Sequence, residues 1–207
     1  MKNTTNTRQK RIIITGNIGC GKSTVTKILE KNGYSIISAD ELSAKILKNY
    51  HVEVSKMFKL PPQQFDTFKK TLGTRVFTDK DVKKQLEDFM LPRIKLDIEF
   101  WCNYYERKLK PYVIEMPTLF EVSGLKHYED TIIMVQADKD VRTSRILERN
   151  KHLSIQDVLN RMKSQIQPSK KIEFCDAVLW NNDGIDELKK EVAECEFLKR
   201  NNDDNNK

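Results

Sequence analysis

The chain is sparing with glycine, cysteine and histidine, and it contains no long apolar run. Seven glycines and six prolines in 207 residues exclude a collagen-like or glycine-rich low-complexity chain. No stretch of 18 or more apolar residues occurs, so no membrane-spanning helix is expected. The opening MKNTTNTRQKR is polar and basic and lacks the apolar h-region of a secretory signal, so the expected location is the cytoplasm. The four cysteines, Cys20, Cys102, Cys175 and Cys195, form no CxxC pair. That argues against structural zinc and a redox dithiol and for free buried thiols. The three histidines, His51, His127 and His152, are isolated and read as surface residues rather than a metal cluster.

What is present suits a folded domain with an anionic partner. Hydrophobic residues make up 38% of the chain, enough for a core, and 37 Lys and Arg against 30 Asp and Glu leave a formal charge of +7. That sign favours a nucleotide, a phosphorylated metabolite or a nucleic acid. The lysines are spread along the chain, and neither an RRM-like aromatic box nor a zinc finger is found. The charge therefore reads as solvated helix faces, with no nucleic-acid or membrane partner and a monomer or weak homo-oligomer expected.

Residues 1–10 and 201–207 read as polar tails. Between them, short apolar β-branched runs at 11–15, 34–37, 111–116, 131–135 and 177–180 alternate with helical patterns at 23–31, from 41, at 141–149, 154–166 and 185–198. Strands alternating with helices predict an α/β fold with a five-stranded parallel sheet covered on both faces. From about 52 to 109 the strand signal vanishes, and Leu91-Pro92 predicts a kink or break in a long helix opening near Asp79 or Lys80. The expected organisation is one domain over 11–200. Its core comprises 11–41, 110–138 and 175–200, with a helical insertion at 42–109 and a helical segment at 139–170.

One motif carries chemistry by itself. Residues 16–23, GNIGCGKS, fit G-x-x-x-x-G-K-[ST], which chance supplies in about one chain in a hundred of this length. The motif follows a predicted strand and opens a predicted helix, as its chemistry requires. Glycines let successive N–H groups turn inward and the helix start adds positive potential. Lys22 can reach the β- and γ-phosphates and the Ser23 hydroxyl can bind Mg²⁺. The residues expected to hold ATP are thus Asn17, Ile18, Gly19, Cys20, Gly21, Lys22, Ser23 and Thr24. Neither the NKxD nor the DxxG signature of a GTPase is present, so a small-metabolite kinase is favoured.

Asp40 ends the second predicted strand, where open parallel sheets bind ligands. It can act as the base that takes a proton from an acceptor hydroxyl, or as the N-cap of the next helix. Arg145 and Arg149 lie four apart on one helix and can clamp phosphates, or form part of a solvated basic face. Arg142 is expected to face solvent.

Five ordered segments together resemble dephospho-CoA kinases: ITGNIGCGKSTV followed by GYSIISADELSAKIL, then RVF, LPRI, PYVIEMPTLFE and DAVLWNNDG. The resemblance runs from about 11 to 198. It implies a P-loop kinase-type three-layer fold and ATP-dependent phosphorylation of the ribose 3′-hydroxyl of dephospho-coenzyme A, the last step of coenzyme A synthesis. It further implies Asp40 as base, Lys22 and Arg145 as catalytic, and Arg145, Arg149 and Asn181 toward ATP. Pro117, Leu119 and Phe120 would line the acceptor site, Leu119 and Phe120 alternatively serving only in packing, an alternative favoured for Phe120. Ser23 and Glu115 would hold Mg²⁺, the insertion would bind the acceptor and 139–170 would be a lid. The chain departs from the family pattern at Asn17 (glycine), Ser38 (aspartate), Leu91 (histidine) and Glu115 (aspartate). The alternatives are another small-metabolite or nucleoside monophosphate P-loop kinase, and a nucleotide-gated nucleic-acid-binding protein.

Overall fold

The computed structural model describes residues 11–62, 64–121 and 130–199. The two tails and His127 lie outside them. Five short strands build the sheet: β1 (Ile12–Thr15), β2 (Ser35–Ser38), β3 (Tyr112–Glu115), β4 (Thr131–Gln136) and β5 (Ala177–Trp180), in the order β2-β3-β1-β4-β5. β1 pairs in parallel with β3 (Ile13 beside Ile114) and with β4 (Ile13 beside Ile132), and β4 pairs in parallel with β5. The expected five-stranded parallel sheet is the one observed. β4 is buried at every position and β1 at Ile13, Ile14 and Thr15, as strands covered on both faces must be.

The chain divides into two compact units, one made of the segments before Ile37 and after Leu109, the other of Ile37–Leu109. In the first, α1 (Lys22–Lys31), α6 (Lys139–Arg149), α7 (Ile155–Lys163), α8 (Pro168–Ile172) and α9 (Ile185–Glu194) accompany the sheet, followed by a 3₁₀ turn, Glu196–Leu198. The stop of α1 is a Schellman motif. Gly33 N–H donates to the Glu30 carbonyl and Tyr34 N–H to that of Leu29, both at 2.9 Å, with Gly33 at φ 84° where side-chain-bearing residues are strained. The core of this unit joins Ile14, Val25, Leu29, Val113, Ile133, Val135, Leu179 and Leu188.

The second unit is helical: α2 (Ala39–Asn49), α3 (His51–Met57), α4 (Phe65–Thr78) and α5 (Lys80–Arg107). Asp79 caps α5, its carboxylate accepting from the N–H groups of Asp81 and Val82 at 2.8 and 3.1 Å. Of the kink or break expected at Pro92, the break does not occur: α5 runs through it. Arg93, the next residue, donates a guanidinium N–H to the Phe89 carbonyl at 2.7 Å. The same group lies 3.7 Å from the Phe89 ring centroid and 4.9 Å from that of Tyr50. Packing of α2 along α5, with Met90, Ile94 and Ile98 buried, further offsets the hydrogen bond lost at proline.

Two further expectations are refined. His51 is half-buried: its ring packs edge-on to Phe65 at 5.9 Å and against Phe68 at 6.0 Å, and Nδ1 donates to the Lys48 carbonyl at 2.9 Å. All four cysteines are free, but only Cys20 and Cys102 are buried, with Cys175 and Cys195 half-buried. No helix among the described residues is long and apolar enough to cross a membrane.

Candidate phosphate-binding site

β1 ends at Thr15, and residues 16–21 form a loop that leads directly into α1. Glycine is required where the loop passes closest to its neighbours. A Cβ on Gly16 (φ 146°) would strike the Val135 carbonyl of the neighbouring strand, and one on Gly21 (φ 93°) would strike the Asn181 amide. Gly21 stands at the N-cap of α1 and supplies no capping side chain, so the first N–H groups of the helix are left to a ligand. Lys22 Nζ donates to the Gly16 carbonyl at 2.6 Å, which folds the ammonium back across its own loop. The Ser23 side chain is exposed, and Thr24 donates its N–H to the Gly21 carbonyl at 2.9 Å. Cys20 is fully buried, and its thiol packs into the sheet core.

Side chains from three other elements fasten this loop. Arg142 of α6 is only 4% exposed and donates Nε–H to the Ile18 carbonyl at 2.9 Å. Its expected solvent-facing position is therefore wrong; it is a buried anchor, and burial pushes its pKa below the ordinary arginine value. Its place in the helical pattern beside Ile146, which is also buried, was the available signal. Asn181, immediately after β5, is 5% exposed and donates Nδ2–H to the Cys20 carbonyl at 2.9 Å. Arg145 donates to the Asn181 carbonyl at 2.8 Å and to its Oδ1 at 3.3 Å. Finally Asn17, 1% exposed, donates Nδ2–H to the Ile166 carbonyl at 2.9 Å, and Ile18 N–H donates to Gln165 Oε1 at 2.8 Å.

The remaining candidate residues fall elsewhere. Arg149 is exposed at the end of α6. Glu115, at the end of β3 beside Ile14, is half-buried. Beyond it Leu119 is buried, Pro117 and Phe120 are half-buried, and Phe120 packs 6.2 Å from Phe174. Asp40 is exposed in the first turn of α2. It does not cap that helix, because Ser38 does: its side chain accepts from Glu41 N–H at 3.4 Å. The serine that replaces an aspartate of the family pattern thus keeps a capping oxygen. Among the described residues no cluster of three or more His, Cys, Asp or Glu could hold a metal ion by itself.

The comparisons with known proteins agree with this architecture. The family model for dephospho-CoA kinase matches residues 11–187. A curated dephospho-CoA kinase from Helicobacter pylori (strain J99) is 33% identical over 190 residues, covering 91% of this chain and 95% of that protein. One from Campylobacter jejuni (strain RM1221) is 31% identical, covering 87% and 92%. Among solved structures, TT1252 from Thermus thermophilus superposes with a TM-score of 0.75 at 30% identity, covering 87% of this chain and 93% of that one. The dephospho-CoA kinase of Campylobacter jejuni gives 0.66 at 29% identity, covering 87% and 92%. With the loop, its anchors and these relatives in view, the chain belongs to the dephospho-CoA kinase family.

Proposed function

We propose that the chain transfers the γ-phosphoryl group of ATP to the ribose 3′-hydroxyl of dephospho-coenzyme A, giving coenzyme A and ADP. The observation that carries the reading is the loop at 16–23, fastened at the start of α1 by Arg142, Asn181 and Asn17, in a chain whose curated relatives are dephospho-CoA kinases. The backbone N–H groups of Gly19, Gly21, Lys22 and Ser23 receive the phosphates, while those of Ile18, Cys20 and Thr24 are donated within the fold and hold the loop in shape. Lys22 exchanges the Gly16 carbonyl for phosphate oxygens, and Arg145 and Arg149 add charge-assisted hydrogen bonds to them. Asn181, already bonded to the Cys20 carbonyl, stands beside the nucleotide. Residues 139–170 act as the lid.

Ser23 and Glu115 offer the hard oxygen donors that Mg²⁺ prefers, and so few protein ligands suit an ion that keeps several waters and binds substrate phosphates. When bound with ATP, Mg²⁺ neutralises charge on the phosphates. Asp40 takes the proton of the attacking 3′-hydroxyl. Its carboxylate is exposed at the carboxyl end of β2 and is not consumed in capping. Pro117 and Phe120, backed by the buried Leu119, hold the acceptor.

Mass spectrometry of products from purified chain, Mg·ATP and dephospho-CoA tests the reading. Coenzyme A and ADP in equal amounts are expected. ADP without coenzyme A refutes the acceptor, and absence of both refutes the kinase.

A further inference from the structure

Lys171 of α8 is completely buried, and its ammonium donates to Glu121 Oε1 at 2.5 Å, the Glu121 side chain being 19% exposed. Glu121 ends a tight segment after β3, in which Leu119 N–H donates to the Met116 carbonyl and Glu121 N–H to that of Thr118. The ammonium also lies 5.9 Å from the Phe120 ring centroid. Glu121 Oε2 is buried and has no hydrogen-bond partner among the described residues. A desolvated pair with one oxygen unsatisfied adds little net stability, since the cost of removing two charges from water offsets their attraction. Its value is directional: it fixes where residues 117–121 sit.

The other end of the same short stretch is fastened as firmly. Gln165 accepts from Ile18 N–H, and the Ile166 carbonyl accepts from Asn17. Strand order gives these two attachments different meanings. β1 lies between β3 and β4, and Arg142, Arg145 and Asn181, which converge around the phosphate loop, follow β4 and β5. The end of β3 is on the opposite flank of β1. In-line transfer sets donor and acceptor on opposite sides of the moving phosphoryl group, and the kinase reading above assigns the β3 flank, through Pro117, Leu119 and Phe120, to the acceptor.

We propose that Gln165 and Lys171 are positioning residues, one for each substrate. Gln165, with Asn17, holds the phosphate loop in shape for ATP. Lys171, acting through Glu121, holds residues 117–121 in shape for the acceptor. This rests on the kinase reading above. Neither residue touches a reacting atom, and stretch 165–171 ties the two substrate sides of the sheet to one short piece of chain.

Steady-state kinetics of the full chain, with melting temperatures, test it. The double variant Glu121→Gln/Lys171→Met removes both charges at similar volume and leaves none buried alone. It is expected to raise KM for dephospho-CoA about tenfold while KM for ATP stays within about twofold. Gln165→Met is expected to do the reverse. Lys171→Met alone lowers the melting temperature, and adding Glu121→Gln restores it without restoring the acceptor KM. Equal changes in both KM values, a change in melting temperature only, or no change overturn the assignment. If the unaltered chain fails to phosphorylate dephospho-CoA, the kinase reading fails and the acceptor half falls with it. Calorimetric titration of Gln165→Met with Mg·ATP then decides the nucleotide half: binding weakened about tenfold upholds it, and unchanged binding overturns it.

Discussion

The surroundings of the phosphate loop and the interior of the helical unit solve the same packing problem in opposite ways. Around the loop, polar side chains are buried: Asn17, Arg142 and Asn181 are 1%, 4% and 5% exposed, each donating to a backbone carbonyl. The helical unit instead closes on Val54, Phe58, Phe68 and Leu72, with aromatic rings set edge-on or tilted. Hydrogen bonds are directional, so the first arrangement fixes where a backbone atom lies. Apolar burial is not, so the second fixes that the helices hold together. The lesson is that damage near the loop should register first in ligand affinity, and damage in the helical interior first in stability.

Four substitutions or conditions probe this contrast. The largest effect is expected from Asp40→Ala, which removes an exposed carboxylate and leaves both interiors intact. Turnover should fall by about 10²- to 10⁴-fold, the usual worth of a general base, while calorimetry shows Mg·ADP binding unchanged. Unimpaired turnover would remove Asp40 from the mechanism. Phe68→Ala empties the centre of the aromatic cluster and should cost about 3–5 kcal/mol of stability, read as a shifted denaturant midpoint. Its KM for ATP should hold at low temperature.

Arg142→Met is the converse test beside the loop. It keeps the aliphatic bulk, leaves the Ile18 carbonyl without its donor and should cost about 1–3 kcal/mol. The loss should appear mainly as weaker ATP binding in a titration. A loss of stability alone, with unchanged ATP binding, would erase the distinction between the two regions. The smallest effect concerns the capping box of α7. Ser154 donates its hydroxyl and backbone N–H to Asp157 and accepts from Asp157 N–H, which holds the Asp157 carboxyl below its ordinary pKa. Because the folded value is depressed, this contribution is complete above the unfolded pKa and fades as pH falls through the folded one. Amide exchange in α7 should therefore lose protection in acid, and Asp157→Asn should flatten that dependence.

Much of this was legible along the chain. GNIGCGKS bounded by an apolar run and a helical pattern revealed the phosphate loop because every group in it comes from one contiguous segment. The five strands were legible as short β-branched runs, for strands buried on both faces leave no room for polar residues. Of the kink or break that Pro92 favours locally, the break is outweighed by burial of Met90, Ile94 and Ile98 and by Arg93. Arg142 misled because arginine is usually exposed, and its partner, the Ile18 carbonyl, is 124 residues away.

The sequence alone therefore determined the phosphate loop, the strand–helix alternation and the kinase family, all of which rest on local spacing and on ordered motifs. Tertiary structure decided which polar residues are anchors: Arg142 and Gln165 at the loop, Ser38 rather than Asp40 as the cap, Lys171 with Glu121 beneath the β3 flank. Such roles depend on a donor meeting an acceptor within about 3 Å across long stretches of chain. Only the folded sheet brings those atoms together.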